Sequence, residues 1–131
     1  MKGIDMTAVL NLVVLRSPDI DKAKDLYSKL GLVFTRDRHG SGPEHYSAEL
    51  AGTVFELYPQ NAEGPSSLGT RIGFSVASLD ESIKALSDYS NAVISPAKDS
   101  DWGRRAVVTD PDGHRIELVE GLVASRHDNR P

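Results

Sequence analysis

The stretch DPDGHRIELVE, Asp110 to Glu120, decides how the rest of the chain is read. Asp110-Pro111-Asp112-Gly113 has the make-up of a tight turn, since proline presets one φ and glycine accepts a positive one. The residues after it alternate, with Ile116 and Leu118 on one face of a strand and Arg115, Glu117 and Val119 on the other. A glutamate in the middle of such a strand needs a partner or a purpose. The pattern occurs a second time, after Ala51-Gly52, where Phe55 and Leu57 alternate with Val54, Glu56 and Tyr58. Glu56 and Glu117 each sit in an apolar-Glu-Leu triplet, which points to a duplicated module.

Working outward, each half gives the order β-α-β-β-β. In the first, Ala8 to Leu15 is a continuous, β-branched run broken only by Asn11, which predicts a buried strand. Ser17-Pro18-Asp19 opens a helix, with serine as the cap and proline in the first turn, and Gly31 closes it. Strands are expected over Leu32 to Arg36 and Glu44 to Leu50, and Ala51-Gly52 makes a short hairpin into the first glutamate strand. In the second half, Ile72, Phe74 and Val76 share one strand face. Ser78 to Glu81 is a capping box, and Leu79, Ile83 and Leu86 line the helix behind it. Pro96 confines the strand begun at Ala92 to an edge. The expected organisation is a single domain, 1–131, with module one at 6–59, a linker at 60–69, module two at 70–120 and a flexible tail at 121–131. The fold class is α+β, two tandem modules forming a curled mixed-sheet cup.

Composition excludes several functions. Hydrophobic residues at 39% and charged residues at 26% of 131 residues describe an ordinary globular domain. A net charge of −4 with no basic run argues against nucleic acid. With no cysteine there is no disulfide, thiolate ligand or thiol nucleophile, which fits a cytoplasmic location. No apolar run approaches the roughly 20 residues needed to span a bilayer, and Met1-Lys2 is not followed by an apolar leader.

One helix covers only one face of each sheet. Ile72, Phe74, Val76, Ile116, Leu118, Phe55 and Leu57 suit the covered face. The other face carries Asn11, Glu56, Arg71 and Glu117, which are expected to converge in a concave polar site.

These residues resemble the vicinal oxygen chelate superfamily, whose members include glyoxalase I, extradiol dioxygenases, and fosfomycin- and bleomycin-resistance proteins. The resemblance runs from Met6 to Glu120 and rests on the paired modules, the DPDG turn with Trp102-Gly103 upstream, and the two Glu-Leu strands. It implies two curled sheets, often completed by a homodimer. In metal-binding members each module supplies a ligand from its first strand, usually histidine, and a glutamate from its last. Carried onto this chain, those positions are Asn11, Arg71, Glu56 and Glu117. The glutamates match and the histidines do not. A guanidinium has no lone pair to offer, and two carboxylates with one amide make a poor site for zinc, nickel or iron. No cofactor is expected, a divalent metal on Glu56 and Glu117 being the exception.

Three roles suit the cluster. It is an ion-paired tie between the sheets; or Arg71 stands in for the metal as electrophile with a glutamate as base; or a residual metal binds. His45, Tyr58, Trp102 and Asn11 are the candidate substrate-lining residues, the plainer reading being a surface position for His45 and ordinary packing for Tyr58 and Trp102. The resemblance then implies one of two functions. One is a lyase-like or dioxygenase-like enzyme on a small oxygenated metabolite. The other is a non-catalytic protein that binds or sequesters a small molecule, as drug-resistance members do. If Arg71 is a buried cation shared by both glutamates, its loss is expected to cost about 3–5 kcal/mol.

Overall fold

Strand pairing begins where a partner exists. In the computed structural model, which describes residues 4–89, 92–101 and 103–121, the first strand, β1, is Leu12–Ser17. It pairs in parallel with β4 (Thr53–Pro59), from Leu12 opposite Val54 to Ser17 opposite Pro59. The apolar run from Ala8 predicts an earlier start. The chain before Leu12 is tied to the sheet at its edge, where Asn11 O accepts from Val54 N–H and Leu10 O from the Thr53 hydroxyl. β4 offers no further backbone there, and a strand needs a neighbour as well as propensity.

Helix α1 (Ile20–Lys29) follows, capped by Asp19, whose carboxylate accepts from Lys22 N–H. The cap is therefore Asp19 and not Ser17, whose hydroxyl accepts from Asp19 N–H one step earlier. β2 (Phe34–Asp37) and β3 (His45–Leu50) complete the order β1-β4-β3-β2. β3 and β4 meet in a two-residue hairpin in which Ala51 and Gly52 both take positive φ, 48° and 95°. The second module repeats the plan with β5 (Arg71–Val76), α2 (Leu79–Ala85), β6 (Val93–Lys98), β7 (Arg105–Thr109) and β8 (Arg115–Glu120). Its order is β5-β8-β7-β6, with β5 parallel to β8. Ser78 caps α2 as the capping box predicts. Pro96 lies within β6, the outer strand, where the register slips. The architecture is the expected α+β pair of β-α-β-β-β modules with mixed sheets.

The inner faces of both sheets feed one hydrophobic cluster. Leu15, Phe55 and Leu57 come from the first, Val76, Ala106, Val108, Ile116 and Leu118 from the second, with Ala23, Leu26 and Tyr27 of α1 among them. Phe55 meets Phe74 edge-on at 5.8 Å, and Tyr27 touches both rings. Each large apolar side chain removed from water this way contributes roughly 1.5–3 kcal/mol.

A buried polar knot sits against this core. The Asp110 carboxylate accepts from the backbone N–H groups of Asp112, Gly113 and His114, closing the DPDG turn. Its other oxygen accepts from the Tyr27 hydroxyl at 2.7 Å and pairs with His114 Nδ1 at 2.8 Å. His114 Nε2 meets the Ser67 hydroxyl at 2.7 Å, and that hydroxyl bonds the backbone of Arg16 in β1. One turn of module two thereby holds α1, β1 and the segment between the modules. Burial pushes the Asp110 carboxyl up, but the hydrogen bonds from His114 and Tyr27 outweigh it and leave it below the ordinary carboxylate value. The same bond to Asp110 raises His114 above 6.5 against the opposing effect of burial.

The sign of the pH dependence follows. The raised His114 adds stability that is complete below its unfolded value near 6.5 and is lost as pH climbs through the folded one. The lowered Asp110 adds stability that is complete above its unfolded value near 3.8 and is lost as pH falls through the folded one. Thermal midpoints should therefore be highest between those two values and decline on the alkaline side. His114→Gln should remove the alkaline decline, and a wild-type profile flat from pH 5 to 9 would contradict the assignment. Asp110→Ala should cost about 3–5 kcal/mol in urea denaturation, the range for breaking a buried pair from one side.

Candidate functional site

Strand alternation sets what the outer faces carry. With Phe55 and Leu57 turned inward, Val54, Glu56 and Tyr58 of β4 face out, opposite Leu12, Val14 and Arg16 of β1. Ser47 of β3 lies opposite Glu56 and donates its hydroxyl to the Glu56 carboxylate at 2.9 Å. His45 joins the same group: its Nε2 is 3.8 Å from the Glu56 carboxylate, and its ring stacks on Tyr58 at 4.1 Å and 10°. The Arg16 guanidinium covers that tyrosine ring at 5.6 Å from its centre. His45 is 1% exposed, although a histidine opening a strand reads as surface. Its Nδ1 bonds the Pro43 carbonyl, and its buried Nε2 has no hydrogen-bond partner.

On the second sheet, Arg71 and Gly73 of β5 lie opposite Arg115 and Glu117 of β8. Val107 of β7 faces Glu117 from the other side, and Arg105 is two residues before it. Both carboxylate oxygens of Glu117 are taken by guanidinium groups, Oε2 by Arg71 and Oε1 by Arg105. Arg105 was missed from sequence. The signal was available in the alternation of β7, whose Arg105 and Val107 share the outward face, but no motif marks it. Beside it lies an open cavity of about 260 Å³ lined by Ser95, Lys98, Ser100, Arg105, Ala106 and Val107.

The sequence-based site is therefore only partly assembled. Arg71 meets Glu117, and Glu56 meets His45, on which Tyr58 stacks, but the ion pairs join the two glutamates to different partners. Asn11 stands apart from both groups. It precedes β1, is exposed, and is out of phase with Val14, the residue opposite Glu56. The structural counterpart of Arg71 is Leu12: each lies two residues before the one paired with a glutamate. Trp102 lies outside the described residues. Arg71 is also half exposed, so it is not the buried shared cation expected.

Metal chemistry at the superfamily's ligand positions is a poor fit. The first-strand positions hold Leu12 and Val14 in one module and Arg71 and Gly73 in the other, none with a lone pair for a metal, and both Glu117 oxygens are already engaged. Elsewhere, Asp110, Asp112 and His114 bring ligand atoms within 4.8 Å of one another, as do Asp37, His39 and His45. In the first group Asp110 and His114 are committed to the turn. Ser67, His114 and Asp110 also follow the spacing of a nucleophilic triad. The Ser67 oxygen, however, is held by the Arg16 backbone, and His114 and Asp110 are 1% exposed, so no substrate carbonyl reaches it.

Because the Arg71–Glu117 pair is half exposed and Arg105 remains, Arg71→Ala should cost less than about 1 kcal/mol. Arg105→Ala, which removes the less exposed partner, should cost more. Urea denaturation of both variants gives the order, and a loss of several kcal/mol for Arg71→Ala would return Arg71 to the role of buried tie.

A search of curated proteins returned no match. Among solved structures, TnmS3, an antibiotic binding protein from Streptomyces sp. CB03234, is 26% identical with a TM-score of 0.68, over 89% of this chain and 98% of that one. A glyoxalase/bleomycin resistance protein from the same Streptomyces strain is also 26% identical at 0.68, over 86% and 100%. TioX from Micromonospora sp. ML1, 20% identical at 0.66 over 86% and 98%, shares the fold. The family profile matches residues 9–118, nearly all of both modules. With its paired modules and its two outward glutamate strands, the chain belongs to the Glyoxalase/Bleomycin resistance protein/Dioxygenase superfamily.

Proposed function

We propose that this protein is a binding member of its superfamily, which holds a small, oxygen-rich anionic molecule without transforming it. The observation that carries this is Glu117, capped at both oxygens by Arg71 and Arg105. A carboxylate held between two guanidinium groups is a weaker base and a poorer metal ligand than a free one. The outward face of the second sheet keeps a surplus of cations, Arg71, Arg105 and Arg115 against Glu117. Lys98, Ser95 and Arg105 border the open cavity beside it. Guanidinium groups bind carboxylate and phenolate oxygens in a bidentate fork. The likeness to an antibiotic binding protein at 26% identity supports a sequestering role. The enzymatic reading draws on one different observation, the free Nε2 of His45 beside Glu56.

In this proposal the pocket is completed by a second copy of the chain, in the cytoplasm. The outward face of the first sheet carries Asp37, Glu49 and Glu56 against Arg16, a charge balance opposite to that of the second sheet. Val9, Leu10, Leu12, Val93 and Ile94 are exposed apolar side chains that such a contact would cover. Sedimentation at micromolar concentration should give a dimer; a clean monomer would count against this part of the reading.

Calorimetric titration with a panel of small aromatic acids and acidic natural products tests the ligand. Arg105→Ala should weaken binding by roughly tenfold, about 1.4 kcal/mol, and the bound compound should be recovered unchanged by mass spectrometry. Chemical conversion of the ligand would replace this reading with the enzymatic one.

A further inference from the structure

The turn between β2 and β3 brings together groups that the small-molecule reading does not use. Asp37 ends β2, His39 lies in the turn and His45 opens β3. One ligand atom from each lies within 4.8 Å of the others. His39 Nε2 and the Asp37 carboxylate are 3.8 Å apart, and the two imidazole centres are 5.1 Å apart.

His45 is the buried member of this cluster. A carbonyl only accepts, so the contact of Nδ1 with Pro43 O at 3.2 Å places the proton of the neutral ring on Nδ1. Nε2 then presents its lone pair, buried in a residue that is 1% exposed and without a hydrogen-bond partner among the described residues. Leaving such an atom dry and unpaired is costly, and buried polar groups seldom stay so. An imidazole that donates one nitrogen to a backbone carbonyl and presents the other is the arrangement of a metal-ligating histidine. The Glu56 carboxylate, 3.8 Å from Nε2, adds negative charge beside it.

We propose that the β2–β3 turn binds a divalent transition ion, zinc in the first instance, through Asp37, His39 and Nε2 of His45. Two imidazoles and a carboxylate suit an ion of borderline softness, with water completing the shell. Ligand atoms of the three residues, one from each within 4.8 Å of the others, must draw together with Nε2 of His45 turned to the ion, and the intervening turn contains Gly40, already at φ 60°, and Gly42. The site is separate from the superfamily's ligand positions, since none of the three residues lies on a first or last strand of a module. It does not rest on the anion-binding reading, which concerns the other sheet.

The test is calorimetric titration of zinc chloride into the metal-stripped, tag-free full-length protein, repeated with cobalt(II), whose absorption spectrum reports the ligand set. Asp37 and His39 are well exposed, so Asp37→Asn and His39→Ala should fold normally. The expected result is saturable binding of a single ion per chain that weakens by roughly tenfold or more in either variant. Glu117→Gln should leave it unchanged. No saturable binding by the wild type, equal binding by His39→Ala, or loss confined to Glu117→Gln would each overturn the proposal. Arg105→Ala separates it from the anion site, because that variant should bind the acid more weakly and keep the zinc.

Discussion

The carboxylate of Asp110 is the constraint on which the two modules depend. An ionised group at 1% exposure survives only with its oxygens fully engaged, and here three backbone N–H groups, a tyrosine and a histidine engage them. The backbone bonds shape the turn that launches β8. The Tyr27 bond reaches α1 of the other module, and the His114–Ser67 bond reaches β1 through the Arg16 backbone. Folding the turn and docking the modules are consequently one event. The Tyr27 hydroxyl, raised far above its ordinary value by burial and by the neighbouring Asp110 charge, stays protonated and stays a donor.

Period-two alternation carries this order to the outer faces. Once Phe55 and Ile116 are committed to the shared core, Glu56 and Glu117 must face away from it. Their positions are a consequence of the core's register. What differs is the company each keeps, and that is set by the neighbouring strands.

This explains which parts were legible in the sequence. The two sheets, the helices and the outward glutamates follow from alternation and from the DPDG turn, which are local. Asn11 was misplaced because where a strand starts depends on its partner: β4 begins at Thr53, so β1 begins at Leu12, whatever the propensity of Ala8 to Leu10. Arg71 was over-weighted because sequence gives a charge but not its burial, and because Arg105, which shares its carboxylate, sits on a different strand. His45 was undervalued for the converse reason. A polar residue opening a strand reads as surface, but His45 is removed from water, with the rings of Tyr58 and His39 packed near its own.

The duplicated modules have thus diverged in the chemistry of their outer faces while keeping one scaffold. In the second, arginines from β5 and β7 neutralise the glutamate of β8 and leave a surplus of positive charge. In the first, the equivalent glutamate meets, among the described residues, a serine hydroxyl and a histidine, and no arginine neutralises it. In the proposed dimer these two faces would attract each other, and across a partly dry contact that attraction would exceed its value in water several-fold. Of the two first-strand positions only Arg71 would add to that attraction, the acidic side of it coming from Asp37, Glu49 and Glu56.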